Sequence, residues 1–90
     1  MILYRIYTER KNLPEIESIV TQAGFDGFTM LDAVGFWQGK AEYSLVLEFI
    51  TEEDPQFFHT RIVQVAETIK RINAQDAVLV TSQKVDSTLI

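Results

Sequence analysis

The stretch 27–49, reading GFTMLDAVGFWQGKAEYSLVLEF, constrains the fold of this chain more than any other. In its second half Tyr43, Leu45, Leu47 and Phe49 share one parity. Glu42, Ser44 and Glu48 share the other, with Val46 interrupting the polar row. A period of two is that of a half-buried strand with one face in a core. The first half, residues 28–34, is apolar except for Thr29 and Asp32. Two such arms predict a hairpin whose tip spans residues 35–40, with Gly35 and Gly39 supplying the positive φ values of the reversal. That tip holds the only tryptophan, Trp37, beside Phe36. Exposed rings call for a covering group, so the functional site is expected there.

Ninety residues predict a single domain over 1–90, and a monomer of this size buries only about two-thirds of its unfolded surface. Self-association is therefore expected. The absence of cysteine removes disulfides and thiolate metal sites and fits a reducing compartment. No apolar run is long enough to span a membrane, and the opening Met-Ile-Leu-Tyr-Arg reads as a strand rather than a signal peptide. A cytoplasmic protein is the expectation. With a net charge of −5 and its eight basic residues scattered, the chain lacks a nucleic-acid footprint.

Along the chain, residues 2–8 alternate loosely and read as a first strand. A helix follows, announced by Pro14 with Glu15 and Glu17 in its first turn, striped by Leu13, Ile16, Ile19, Val20 and Ala23, and stopped at Gly24. After the hairpin, Asp54 as N-cap and Pro55 at the first helical position open a second helix. Its apolar face is Phe58, Ile62, Val65, Ala66, Ile69 and Ile72, and Lys70 and Arg71 lie in its last turn. A short last strand is expected over 77–81, and the tail with Val85, Leu89 and Ile90 reads either as an edge strand or as a segment docked on a neighbour. Strand, helix, strand, strand, helix, strand predicts an α+β, ferredoxin-like βαββαβ sandwich: four antiparallel strands with both helices on one face. The other face would carry Arg5, Tyr7, Ser44, Val46 and Glu48, a mixed set that a subunit interface would cover.

The run Gly24-Phe25-Asp26-Gly27-Phe28-Thr29-Met30, then Gly35, then Glu42-Tyr43-Ser44-Leu45-Val46-Leu47 resembles the PII-like signalling superfamily. That resemblance implies a ferredoxin-like subunit in a homotrimer, with small-ligand clefts between subunits lined by Thr29 and by Gly35, Phe36, Trp37 and Gln38. It also implies a non-catalytic regulator acting through a protein effector. The long T-loop is reduced to a short tip, and residues 72–77 lack the glycines of a phosphate-binding loop, so nucleotide binding is not expected. The aromatic-glycine corner is also similar to that of the CutA trimers.

Catalytic and metal chemistry find little support in residue spacing. His59 is the single histidine, in the first turn of the second helix near Glu52, Glu53 and Asp54, and reads as solvated beside dipole-favoured acids. Ser44, Ser82 and Ser87 have no histidine at a nucleophile's spacing. Glu42 and Glu48 lie about 20 Å apart along one strand face, too far to work as an acid–base pair. The PII-like resemblance implies ligand-binding residues at Thr29, Gly35, Phe36, Trp37 and Gln38, to which Lys40 adds a polar handle at the tip, and no catalytic residue or metal ligand is expected. Phe36 and Trp37 could equally pack between subunits. The alternative is an enzyme or a small-molecule-binding domain of another ferredoxin-like lineage, such as a two-fold ACT-like sensor or a monooxygenase-like dimer, or a CutA-like metal-responsive trimer.

Overall fold

The computed structural model describes residues 1–52 and 55–90. In order it forms β1 (Ile2–Glu9), α1 (Leu13–Gln22), β2 (Thr29–Trp37), β3 (Lys40–Thr51), α2 (Pro55–Ile72) and β4 (Leu79–Lys84). The four strands make one antiparallel sheet in the order β2-β3-β1-β4, so the expected ferredoxin-like sandwich is the observed fold. The predicted cap Asp54 lies outside the described residues. Among those residues no helix is long and apolar enough to cross a membrane.

The core forms where the strand and helix periods meet. Tyr4 and Ile6 of β1 and Leu45, Leu47 and Phe49 of β3 are buried against Ile16 and Val20 of α1 and Ile62, Val65, Ala66 and Ile69 of α2. Register sets this layer, since Ile6 lies opposite Leu47 and Leu47 opposite Met30. The corner after α1 adds an aromatic cluster, with Phe25 at 4.9 Å and Phe28 at 5.8 Å from the Phe49 ring.

Arg61 holds that corner. The α1 C-terminus leaves carbonyls without helical partners, and Arg61 Nε donates to Ala23 O at 3.0 Å while its Nη2 reaches the same oxygen. The guanidinium also lies 4.5 Å from the Phe25 ring centre. Gly24 turns the chain away at φ +90, and a Cβ there would collide with Arg61 Nη2. Substituting Arg61 by alanine should lower stability by about 2 kcal/mol in urea unfolding, the scale of a charged hydrogen bond lost together with stem packing. Unchanged stability would show that the corner holds without it.

Three details differ from expectation. The hairpin tip is not a six-residue loop: β2 runs on to Trp37, which pairs with Lys40, and only Gln38 (φ 49) and Gly39 (φ 78) make the turn. Positive φ at both central residues is the two-residue geometry that matches strand twist. Gly35 is not part of the reversal but sits inside β2 opposite Glu42, where an added Cβ would lie 3.1 Å from Ser44 Oγ. The last strand is shifted toward the C-terminus, over Leu79–Lys84 rather than 77–81. An edge strand with one partner tolerates Ser82, Gln83 and Lys84, so polarity does not mark its end.

Candidate functional site

Both helices cover one face of the sheet. The other face carries side chains in rows across the strands: Thr29, Glu48, Arg5 and Thr81 in one, Leu31, Val46, Tyr7 and Leu79 in the next, Ala33, Ser44 and Glu9 in the third. Its first row holds an ion pair, Arg5 Nε to Glu48 Oε2 at 2.7 Å. That bond, with a smaller contribution from Tyr7, holds the Arg5 pKa above its ordinary value.

Beyond the third row β2 and β3 outrun the helical layer. Residues 40–43 are exposed, whereas Leu45, Val46 and Leu47 are buried. The projecting arm, the end of β1 and the α2–β4 connection together enclose an open groove of about 740 Å³, within the size range of small-molecule sites. Tyr7 and Glu9 form its floor with Ser44 and Val46, Gly35, Phe36, Trp37 and Glu42 one wall, and Gln75, Asp76 and Leu79 the other. Gly35 has no side chain to fill the space over Ser44.

The electrostatics of this groove are one-sided. Glu9 is paired with Lys11 at 3.1 Å. Glu42 and Asp76 form no ion pair among the described residues. Two uncompensated carboxylates beside Tyr7 and Trp37, 36% and 68% exposed, favour a cation, because ring faces and carboxylates both attract positive charge.

Of the residues singled out from sequence, Gly35, Phe36 and Trp37 line the groove. Gln38 and Lys40 sit at the turn above it and do not line it, and Thr29 lies at the far end of β2, opposite Glu48. Gln75, Asp76 and Leu79 were not anticipated as site residues. Apart from the acidic charge of Asp76, nothing in the sequence marks them, because they reach the groove only through the β1–β4 pairing. His59 is exposed, with its ring 6.3 Å from that of Tyr4, away from the groove. No cluster of three potential metal ligands occurs among the described residues.

No family model matches the chain, and no curated protein matches it. Solved structures do. A phage SAM lyase in complex with S-methyl-5′-thioadenosine superposes with a TM-score of 0.67 at 16% identity, over 92% of this chain and 80% of the other. A phage SAM lyase in its apo state superposes with a TM-score of 0.68 at 15% identity, over 91% and 78%. At such identities the likeness establishes the fold. It also contradicts the reading of the chain as a non-catalytic PII-like signalling protein, since these neighbours are structures of an enzyme. The groove gathers carboxylates, a hydroxyl and rings around a small-molecule-sized space.

Proposed function

We propose that the chain is a small-molecule lyase that splits a sulfonium nucleoside of the S-adenosylmethionine class in the open-face groove, with S-methyl-5′-thioadenosine as a product. The observation that carries this reading is the pairing of unpaired carboxylates, Glu42 and Asp76, with Tyr7 and Trp37 around one groove. A sulfonium is a cation attached to apolar arms, and such a groove suits it. The phage enzyme with the same fold supports it further, as it was solved with S-methyl-5′-thioadenosine. Breaking a C–S bond of a sulfonium sends the bonding pair to sulfur and leaves a neutral thioether, while the carbon it leaves is satisfied within the same substrate, either by its own carboxylate closing a lactone on that carbon or by loss of a neighbouring C–H proton to a groove carboxylate as a C=C bond forms. The step therefore discharges the cation that the carboxylates hold, which favours release of the thioether product.

Calorimetry tests the charge preference. S-adenosylmethionine should bind at least tenfold more tightly than neutral S-adenosylhomocysteine, a difference of about 1.4 kcal/mol, and added salt should narrow the gap. Equal affinity for the two would contradict the reading.

The same chemistry benefits from cover over the groove, and a homotrimer of the kind the PII-like resemblance implies would supply it. Leu31, Ile50, Leu79 and Trp37 are 44%, 58%, 60% and 68% exposed on the uncovered face, large apolar side chains on one face that a subunit contact would cover. Sedimentation equilibrium at micromolar concentration should return a three-chain mass; a stable monomer would remove the trimer from the proposal.

A further inference from the structure

A buried amide network ends at the groove. Asn73, 1% exposed, follows α2 directly. Its Nδ2 donates to Thr8 Oγ1 at 3.3 Å and to Gln75 Oε1 at 3.1 Å, and its Oδ1 accepts from Asn12 Nδ2 at 2.8 Å. Gln75 Oε1 also accepts from the Thr8 hydroxyl and from the backbone N–H of Glu9 at 3.3 Å. On its other side Gln75 Nε2 donates to the carbonyl of Ala77 at 3.3 Å.

This pattern fixes which way the Gln75 amide faces. A side-chain amide can ordinarily be turned over, exchanging its oxygen and nitrogen. Here two backbone groups forbid it, because the Glu9 N–H can only donate and the Ala77 carbonyl can only accept. Turning the amide over would set an NH₂ group against the Glu9 N–H and Asn73 Nδ2 and an oxygen against a carbonyl, in a half-buried site where unmade hydrogen bonds are expensive. Gln75 Oε1 is thus fully used, and the second Nε2 hydrogen has no acceptor among the described residues. Gln75 lines the groove.

From this we infer that Gln75 is a specificity-determining residue, a locked N–H donor that reads a neutral hydrogen-bond acceptor on the ligand, namely a ring nitrogen of a purine. The groups around it set that choice. Glu9, Asp76, Glu42 and Ser44 line the same groove, so Gln75 supplies a donor among acceptors. An anionic acceptor is disfavoured by Asp76 next door, whereas an uncharged ring nitrogen is not. The inference rests on the nucleoside reading proposed above and names the part of the nucleoside that this wall recognises.

The test uses the intact protein with adenosine and its 1-deaza, 3-deaza and 7-deaza analogues, each lacking one ring nitrogen. Wild type should bind one of the three analogues at least tenfold more weakly than adenosine. Gln75→Glu keeps an oxygen for the three donors and puts a second oxygen where the N–H was. It should bind adenosine about as weakly as wild type binds that analogue, with its fold retained by circular dichroism and its melting temperature lowered by the oxygen that now faces the Ala77 carbonyl. The labelled Gln75 side-chain amide should shift on adenosine addition in wild-type nitrogen–proton spectra, a readout that does not depend on the variant folding. If adenosine binds but all three analogues match it, or if the Gln75 amide signal stays still, the inference fails and the lyase reading stands. If no nucleoside, S-adenosylmethionine included, perturbs any resonance, both fall together.

Discussion

Leu47→Ala should destabilise the protein by about 3–4 kcal/mol, with a lower urea midpoint and an unchanged slope. Leu47 is fully buried at the centre of the sheet, between Ile6 on β1 and Met30 on β2. Truncating a leucine there removes transfer energy and leaves a cavity that paired strands cannot close, and such changes typically cost 2–5 kcal/mol. Against a total of 5–15 kcal/mol for an ordinary domain, that loss is a large share. The control is Tyr43→Ala. Tyr43 has the same parity four residues earlier on β3 but is 79% exposed on the projecting arm. Its loss should change monomer stability by no more than about 0.5 kcal/mol, as surface substitutions do. Comparable losses at the two positions would mean that the arm is packed rather than projecting.

Trp37→Ala should weaken ligand binding severely while leaving the fold in place. Trp37 is the last residue of β2, and its partner Lys40 begins β3, so the ring is carried on a paired strand end with a tight turn beyond it. The ring is 68% exposed, so the monomer gains little stability from it. Aromatic anchors at binding sites lose 2 kcal/mol or more when truncated, and a sulfonium held against the ring would add its own cation–π share. Affinity for S-adenosylmethionine should therefore fall at least about 30-fold, with a melting temperature within a degree or two of wild type. A variant that keeps its affinity but sediments as monomers would assign Trp37 to a subunit interface.

The contrast between Leu47 and Tyr43 shows where sequence reading succeeds and where it stops. Alternation along 43–49 identifies the strand and the parity of its inner face, because pleating alone dictates both. It does not say how far the helices reach over that face, which depends on helix placement and not on any local residue. The two glycines of the tip carry the same limitation. Gly35 and Gly39 look equivalent in a row of letters, yet one leaves space beneath the groove while the other turns the chain. Trp37 stood out by chemistry alone, as a large ring where a polar turn is usual. Gln75 did not, since its role arises from contacts with Thr8 and Glu9, 67 and 66 residues away along the chain. Expecting a regulator followed from short glycine-containing stretches that describe a corner of the fold, and corners are shared by proteins with different chemistry.

The most direct measurement is a turnover experiment. The purified protein, with no cofactor added, is incubated with S-adenosylmethionine, and the mixture is resolved by chromatography and mass spectrometry beside protein-free buffer. S-methyl-5′-thioadenosine should appear in step with loss of S-adenosylmethionine, well above the buffer rate, and Trp37→Ala should remove that excess. Recovery of intact S-adenosylmethionine at the buffer rate, from protein that is folded and fully assembled, would contradict a lyase in this groove.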